Sequence, residues 1–284
     1  MTTAHQVQRS GCIIRYWTSG PADGPVVAFT HGASLDHRSF DPQVETLANA
    51  GYRVLTWDMR GHGQSRPLGG PFTVEELAKD LLAIADDAGA HELVVVGHSM
   101  GGYVVQEFAH RSPDRVRAVA VIGCTDLSKK PSAGWRLMYT VLPFSLKRMS
   151  LDAFHRRTLA DLSVSEDVRS YAAEAMSVIS KEDFIEIILG GVRCLWFDSG
   201  LGRDYVIRKP FLLTHGALDR ANRGVFTKQA PAWAAKEPNC RYKVIPAAGH
   251  TAHMDNPDAF NALLLDFLRA ADEPTTSLPG RTSR

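Results

Sequence analysis

The sequence predicts an α/β protein, a doubly wound and mostly parallel sheet with a helical segment inserted into it. Three observations carry this. Apolar runs closed by glycine, from "PVVAFTHG" (25–32) to "VRAVAVIG" (116–123), alternate with segments whose apolar residues recur at helical spacing. The runs are continuously apolar, as strands are when helices cover both faces of a sheet. From about Leu127 to Tyr205 the strand pattern lapses, and it returns at "KPFLLTHG" (209–216).

The elements follow in order. "HQVQRSGCIIRYWTSG" (5–20) predicts two short strands with a turn at Ser10-Gly11. "SFDPQVETLANA" (39–50) predicts a helix with Pro42 in its first turn, where a missing N–H is harmless. "YRVLTWD" (52–58) is a strand that runs into the loop "MRGHGQSRP". "TVEELAKDLLAIADDAG" (73–89) is a helix with Thr73 as N-cap, Glu76 completing a capping box and Gly89 at its end. "ELVVVG" (92–97) is a strand, and "MGGYVVQEFAHRSP" is a helix stopped by Pro113. "WRLMYTVLPFSLKRM", "LDAFHRRTLADL", "VRSYAAEAMSVI" and "KEDFIEIILGG" are helical in pattern and rich in large apolar residues. "RYKVIPAAG" (241–249) is a last strand and "PDAFNALLLDFLRAA" a last helix. The expected organisation is a core of 1–126 and 206–272, a helical cap over 127–205 and a flexible tail over 273–284.

With 284 residues the chain can bury a large core, and its formal net charge of +1 points to neither nucleic acid nor a membrane surface. Its four cysteines have no metal-binding or redox spacing, so reduced thiols are expected. No apolar run reaches the roughly 18–20 residues of a membrane span, and "MTTAHQVQRSGC" has no signal-like apolar stretch. The expected setting is cytoplasmic and the expected partner a small-molecule substrate. No feature sets an oligomeric state.

The chemistry centres on "LVVVGHSMGGYVV" (93–105). Gly97-His98-Ser99-Met100-Gly101 joins a strand to a helix. There a serine can stand exposed on a strained corner that only flanking glycines permit. A serine hydroxyl needs a base, and the partners of such a serine follow in the order acid, then histidine. Asp219 follows "FLLTHG" and His250 follows "YKVIPAAG", each on a strand-end loop. Asp126 is a rival acid and His253 a rival base. The N–H groups of Met100 and of Ala33, in "HGASLD", are the candidate oxyanion donors. His31 and Ser34 are weaker pocket candidates, and His98 is expected to pack or hydrogen-bond. In the inserted segment Trp135, Tyr139 and Trp196 are candidates for substrate contact, with Arg193 as a partner for a charged substrate. "RGHGQS" (60–65) lacks both dinucleotide and phosphate-loop signatures and reads as a structural turn. No metal or organic cofactor is called for.

These residues, from "VVAFTHG" through "WDMRGHGQSRP" and "VVVGHSMGGYVV" to "LLTHGALD" and "AAGHTAH", resemble the α/β-hydrolase superfamily, in its capped esterase and haloperoxidase-like branch. The resemblance implies an eight-stranded sheet with a helical cap after the sixth strand. It implies Ser99, Asp219 and His250 as triad, with Ala33 and Met100 as oxyanion hole. Haloalkane dehalogenases and epoxide hydrolases are similar in outline but carry aspartate where this chain has Ser99. The leading expectation is hydrolysis of a small to medium, largely apolar carboxylic ester. A lactone hydrolase, a C–C bond hydrolase and a perhydrolase would use the same triad. A ligand receptor on the same fold is the non-enzymatic alternative.

Overall fold

A computed structural model describes residues 2–129, 142–148, 150–195, 201–202 and 204–272. β1 (Thr3–Arg9) and β2 (Cys12–Ser19) form an antiparallel hairpin whose turn uses Gly11 at φ 70°. β2 pairs antiparallel with β4 (Arg53–Trp57), and all later pairings are parallel. β3 (Val26–Thr30), β5 (Leu93–His98), β6 (Val116–Ile122), β7 (Phe211–Gly216) and β8 (Cys240–Ile245) complete eight strands in the order β1-β2-β4-β3-β5-β6-β7-β8. From β3 the chain moves outward to β4, then returns to the other side of β3 as β5. The carboxyl ends of β3 and β5 therefore flank a switch in strand order, where open α/β sheets bind ligands.

Both sheet faces are covered. On one, Val27, Phe29, Val94 and Val96 meet Phe40, Leu47, Phe260 and Leu264, from α1 (Asp41–Asn49), the turn before it and α10 (Pro257–Asp272). On the other, Ala28, Val95, Val119 and Val121 meet Leu77, Leu81 and Val104 of α2 (Val74–Asp87) and α3 (Met100–Arg111). Alternate residues of each central strand thus enter opposite cores, which is why the runs read as continuously apolar.

Thr73 caps α2, its hydroxyl accepting the Glu76 N–H at 3.2 Å. The expected capping box is only half formed: the Glu76 carboxylate takes Lys79 at 2.7 Å. Between β6 and β7 lie α4 (142–148), α5 (Leu151–Leu162), α6 (Glu166–Ser177) and α7 (Lys181–Arg193). Ser150, Ser165 and Ser180 cap α5, α6 and α7 in turn. α8 (Ala221–Lys236) and the short α9 (Ala252–Asp255) were not expected from the sequence. α8 holds Gly224 and Pro231, two helix breakers that hide it. The cysteines are free thiols, three of them buried. No helix among the described residues is long and apolar enough to cross a membrane.

Candidate active site

Ser99 sits at the β5–α3 corner with φ 51° and ψ −113°, in the left-handed half of backbone space that non-glycine residues avoid. Its neighbours explain the motif. A Cβ on Gly97 would stand 2.3 Å from the Gly101 carbonyl oxygen, and one on Gly101 would stand 2.1 Å from that of Thr30. Only glycine lets the corner close against the end of β3. The Ser99 N–H donates to the Ile122 carbonyl at 2.9 Å, which ties the corner to β6. Met100 opens α3, so its N–H has no acceptor within the helix.

His250 lies beyond β8 and Asp219 beyond β7. His250 Nδ1 and Asp219 Oδ2 are 2.9 Å apart, with both side chains buried. The other Asp219 oxygen accepts the Ala221 N–H at 2.9 Å. Committing Nδ1–H to the carboxylate leaves Nε2 as the free lone pair of a neutral ring. Phe226 of α8 stacks on the imidazole at 4.7 Å and 24°. The ring also rests on Gly123, where a Cβ would be 3.0 Å from Cε1 and φ is 55°. Ser99 and His250 thus converge on residues 122–123 at the end of β6. Phe226 and Gly123 escaped the sequence reading. A glycine closing a strand was the only signal, because α8 itself was hidden.

The rivals are placed differently. Asp126 binds Lys236 Nζ at 2.8 Å and accepts the Ser128 hydroxyl at 2.6 Å. His253 is fully buried against Phe40 and Phe260, and burial holds its pKa down at about 3. His98 packs as expected: Nε2 donates to the His250 carbonyl at 3.1 Å, and burial keeps the ring neutral.

The loop after β3 crosses the serine. A Cβ on Gly32 would lie 3.4 Å from Ser99 Cβ and 2.7 Å from His98 Nδ1. Ala33 follows, half-buried, and then Ser34 at φ 66°. His31 and Ser34, candidates for the pocket, are both enclosed within this loop. His31 is a backbone clamp instead: Nδ1 donates to the Gly32 carbonyl at 2.8 Å and Nε2 accepts the Met59 N–H at 2.9 Å. Arg193 is a second correction. Its side chain is half exposed and lies 3.6 Å from the Glu186 carboxylate, and among the described residues it contacts none of the reacting groups. Trp135, Tyr139 and Trp196 lie outside the described residues.

α7 lies close over the corner. A Cβ on Gly190 would stand 2.1 Å from the Phe72 carbonyl oxygen, and one on Gly191 would be 2.1 Å from Met100 Cε. α6 reaches the loop after β3, where the Tyr171 hydroxyl donates to Asp36 Oδ1 at 2.9 Å. Among the described residues Asp36, His37 and Asp58 form one cluster with ligand-type spacing. Their oxygens are already taken by Arg38, His37 and the Gln64 N–H.

Comparison with known proteins agrees with this architecture. A family model described as the alpha/beta hydrolase fold matches residues 25–257. RutD of Variovorax paradoxus, provisionally named a carbamate hydrolase, is 27% identical over 275 residues, spanning 92% of this chain and 98% of that protein. The bifunctional esterase/perhydrolase DCH of Acinetobacter calcoaceticus is 35% identical over 114 residues, 40% of this chain and 41% of its own length. A thermophilic esterase from Thermogutta terrifontis superimposes with a TM-score of 0.81 at 22% identity, over 95% of this chain and 100% of that one. At such identity the superposition speaks for the fold alone. With the family match over most of its length and the sheet order found here, the chain belongs to the α/β-hydrolase family.

Proposed function

We propose that the protein is a serine hydrolase of small to medium, largely apolar carboxylic esters, with Ser99 as nucleophile, His250 as base and Asp219 as its orienting acid. The reading is carried by the 2.9 Å contact between His250 Nδ1 and Asp219, in a histidine whose ring packs on Gly123, next to the Ile122 carbonyl that accepts the Ser99 N–H. Nε2 then takes the Ser99 proton as Oγ adds to the ester carbonyl. The N–H groups of Ala33 and Met100 receive the oxyanion. The imidazolium returns its proton to the departing alcohol, and an acyl-enzyme remains. Water, deprotonated by the same Nε2, releases the acid and restores Ser99. Asp219 keeps the ring in one tautomer and stabilises its cation. The helices between β6 and β7 serve as a cap, over 127–205, on a core of 1–126 and 206–272. An apolar substrate is favoured by the side chains beside the reacting groups, Ala33, Met100 and Phe226, and by the outward turn of Arg193.

A fluorophosphonate probe tests the reading. It should label the native chain and not Ser99→Ala, and p-nitrophenyl butyrate turnover should fall by on the order of 10⁴-fold or more in that variant. His250→Ala should fall almost as far, with little further loss in the double variant. An unlabelled native chain would instead mark a receptor with an inert serine.

A further inference from the structure

The loop after β4 takes no part in the chemistry above, yet it is pinned on every side. Arg60 is fully buried and places Nε and Nη2 on the two Asp80 oxygens, each at 2.8 Å. Asp58 Oδ2 accepts the Gln64 N–H at 2.7 Å, and Gly63 folds so close that a Cβ would be 2.2 Å from that carboxylate. Gly61 donates to the Ser65 carbonyl at 2.8 Å, and Ser65 donates to the His62 carbonyl at 2.9 Å. Asp58 Oδ1 also reaches His37, and at the strained turn after β3 the frame presents His62. His62 is fully buried and donates from Nδ1 to the Arg60 carbonyl at 3.1 Å. Its Nε2 is therefore the acceptor, and it takes the Ser34 N–H at 3.1 Å.

That bond falls at a position that needs holding. Ser34 is a non-glycine residue at φ 66°, a conformation that persists only when its surroundings impose it. The Ser34 N–H belongs to the peptide on the carboxyl side of Ala33. The peptide on its amino side, which carries the Ala33 N–H, is held through the Gly32 carbonyl by His31. With both flanking peptides fixed, the direction of the Ala33 N–H is fixed too. We propose that His62 is a positioning residue for the oxyanion hole, its Nε2 holding the Ser34 N–H and so aiming the Ala33 N–H at the developing charge. Burial supports this by keeping the ring neutral, with its pKa pushed down to about 3, so the acceptor lone pair is present at neutral pH. His31, 5.0 Å away edge to face, is lowered by burial in the same way. The inference rests on the reading of Ala33 as an oxyanion donor.

The test compares His62→Phe, which removes the acceptor, with His62→Gln, whose amide oxygen reaches the Nε2 position, and His62→Asn, whose amide does not. Each is assayed on p-nitrophenyl butyrate and for inhibition by an aliphatic trifluoromethyl ketone, whose adduct with a serine places an oxyanion in the hole. His62→Phe and His62→Asn should lower turnover about 10- to 100-fold and weaken the ketone by the same factor, with KM within about 3-fold, and His62→Gln should recover most of both. If His62→Phe does not fold, the contrast of Gln with Asn still decides. Equal constants in Gln and Asn, or a loss of turnover with ketone affinity intact, overturns the positioning role. A native chain that neither hydrolyses the ester nor binds the ketone defeats the hydrolase reading and this inference with it. A native chain that does both, matched by all three variants, defeats the inference alone.

Discussion

The loops around Ser99 and the helices between β6 and β7 are both rich in charged and hydroxyl side chains, but they hold those groups differently. In the loops the polar contacts are buried and paired: His250 with Asp219, Arg60 with Asp80, His31 with Met59. In the helices most are exposed. Arg38 meets Glu174 with the glutamate two-thirds exposed, Arg169 meets Glu166, and Arg193 meets Glu186 at the surface. Breaking a buried pair costs about 3–5 kcal/mol, whereas an exposed one is worth roughly 0–1 kcal/mol. The frame that must hold reacting atoms to a fraction of an ångström is the part built to resist adjustment. The exposed ion pairs of the helices above it can be rearranged at small cost, which suits the cap role proposed for them.

The sharpest test of this contrast sets two carboxylates at the sheet's edge against each other. Asp219→Asn should lower kcat/KM by about 10³- to 10⁴-fold with the fold retained, because the ring loses its tautomer and the support of its cation. Asp126→Asn should change kcat/KM by less than about 5-fold, since its partner Lys236 keeps access to solvent. Steady-state kinetics on one ester decides. The reverse ranking would move the orienting acid to β6 and dissolve the frame described here.

A second test reads the frame as a whole. His31, His62, His98 and His253 are all lowered by burial, to about 3 for His62 and His253. In the unfolded chain each titrates near its ordinary value of about 6.5. The unfolded state therefore binds more protons below that value. Their contribution to stability is complete above pH 6.5 and is lost as the pH falls from there, for His62 and His253 down to about 3. The slope is about 1.4 kcal/mol per pH unit for each group whose unfolded form is protonated while its folded form stays neutral, so His62 and His253 alone should give roughly 3 kcal/mol per unit. Urea unfolding at pH 7.5, 6, 5 and 4.5 measures it. A stability that stays level from pH 7.5 to 4.5 would mean that these rings take up protons in place, and that the frame is softer than its contacts imply.

Much of this frame was legible because backbone geometry demands particular residues. Gly97 and Gly101 are glycines because a Cβ would strike backbone, and that necessity is visible in sequence. The strands were legible because double burial leaves continuous apolar runs. α8 was not, since Gly224 and Pro231 break its pattern while the tertiary fold keeps it helical, and Phe226 was lost with it. His31 looked like a pocket residue because it precedes the glycine at the end of β3. Its actual partner, the Met59 N–H, comes from the next strand's loop, a contact that no local pattern encodes. Arg193 stands in an apolar run, but the helix turns it outward beside Glu186, seven residues earlier. Spacing alone does not say which side of an inserted helix faces the core.

The smallest effect is expected where the two regions touch. The Tyr171 hydroxyl bonds Asp36 Oδ1, and beside it Leu162 and Ala172 pack on Leu35, so α5 and α6 meet the loop that carries Ala33. Asp36 keeps the Arg38 guanidinium at 2.8 Å whether or not the hydroxyl is there. Tyr171→Phe therefore removes the bond to Asp36 Oδ1 and the longer one, 3.3 Å, accepted from the Asp36 N–H, without stranding a buried charge, and the ring stays to pack. The loss of stability should be about 1 kcal/mol, and kcat/KM on a short ester should stay within roughly 3-fold, because His31 and His62 hold the loop from the other side. Thermal melts and kinetics on the same preparation measure both. If turnover instead drops by about two orders of magnitude or more at nearly unchanged stability, the inserted helices help to aim the Ala33 N–H. Frame and cap would then be one mechanical unit, not a rigid part carrying a soft one.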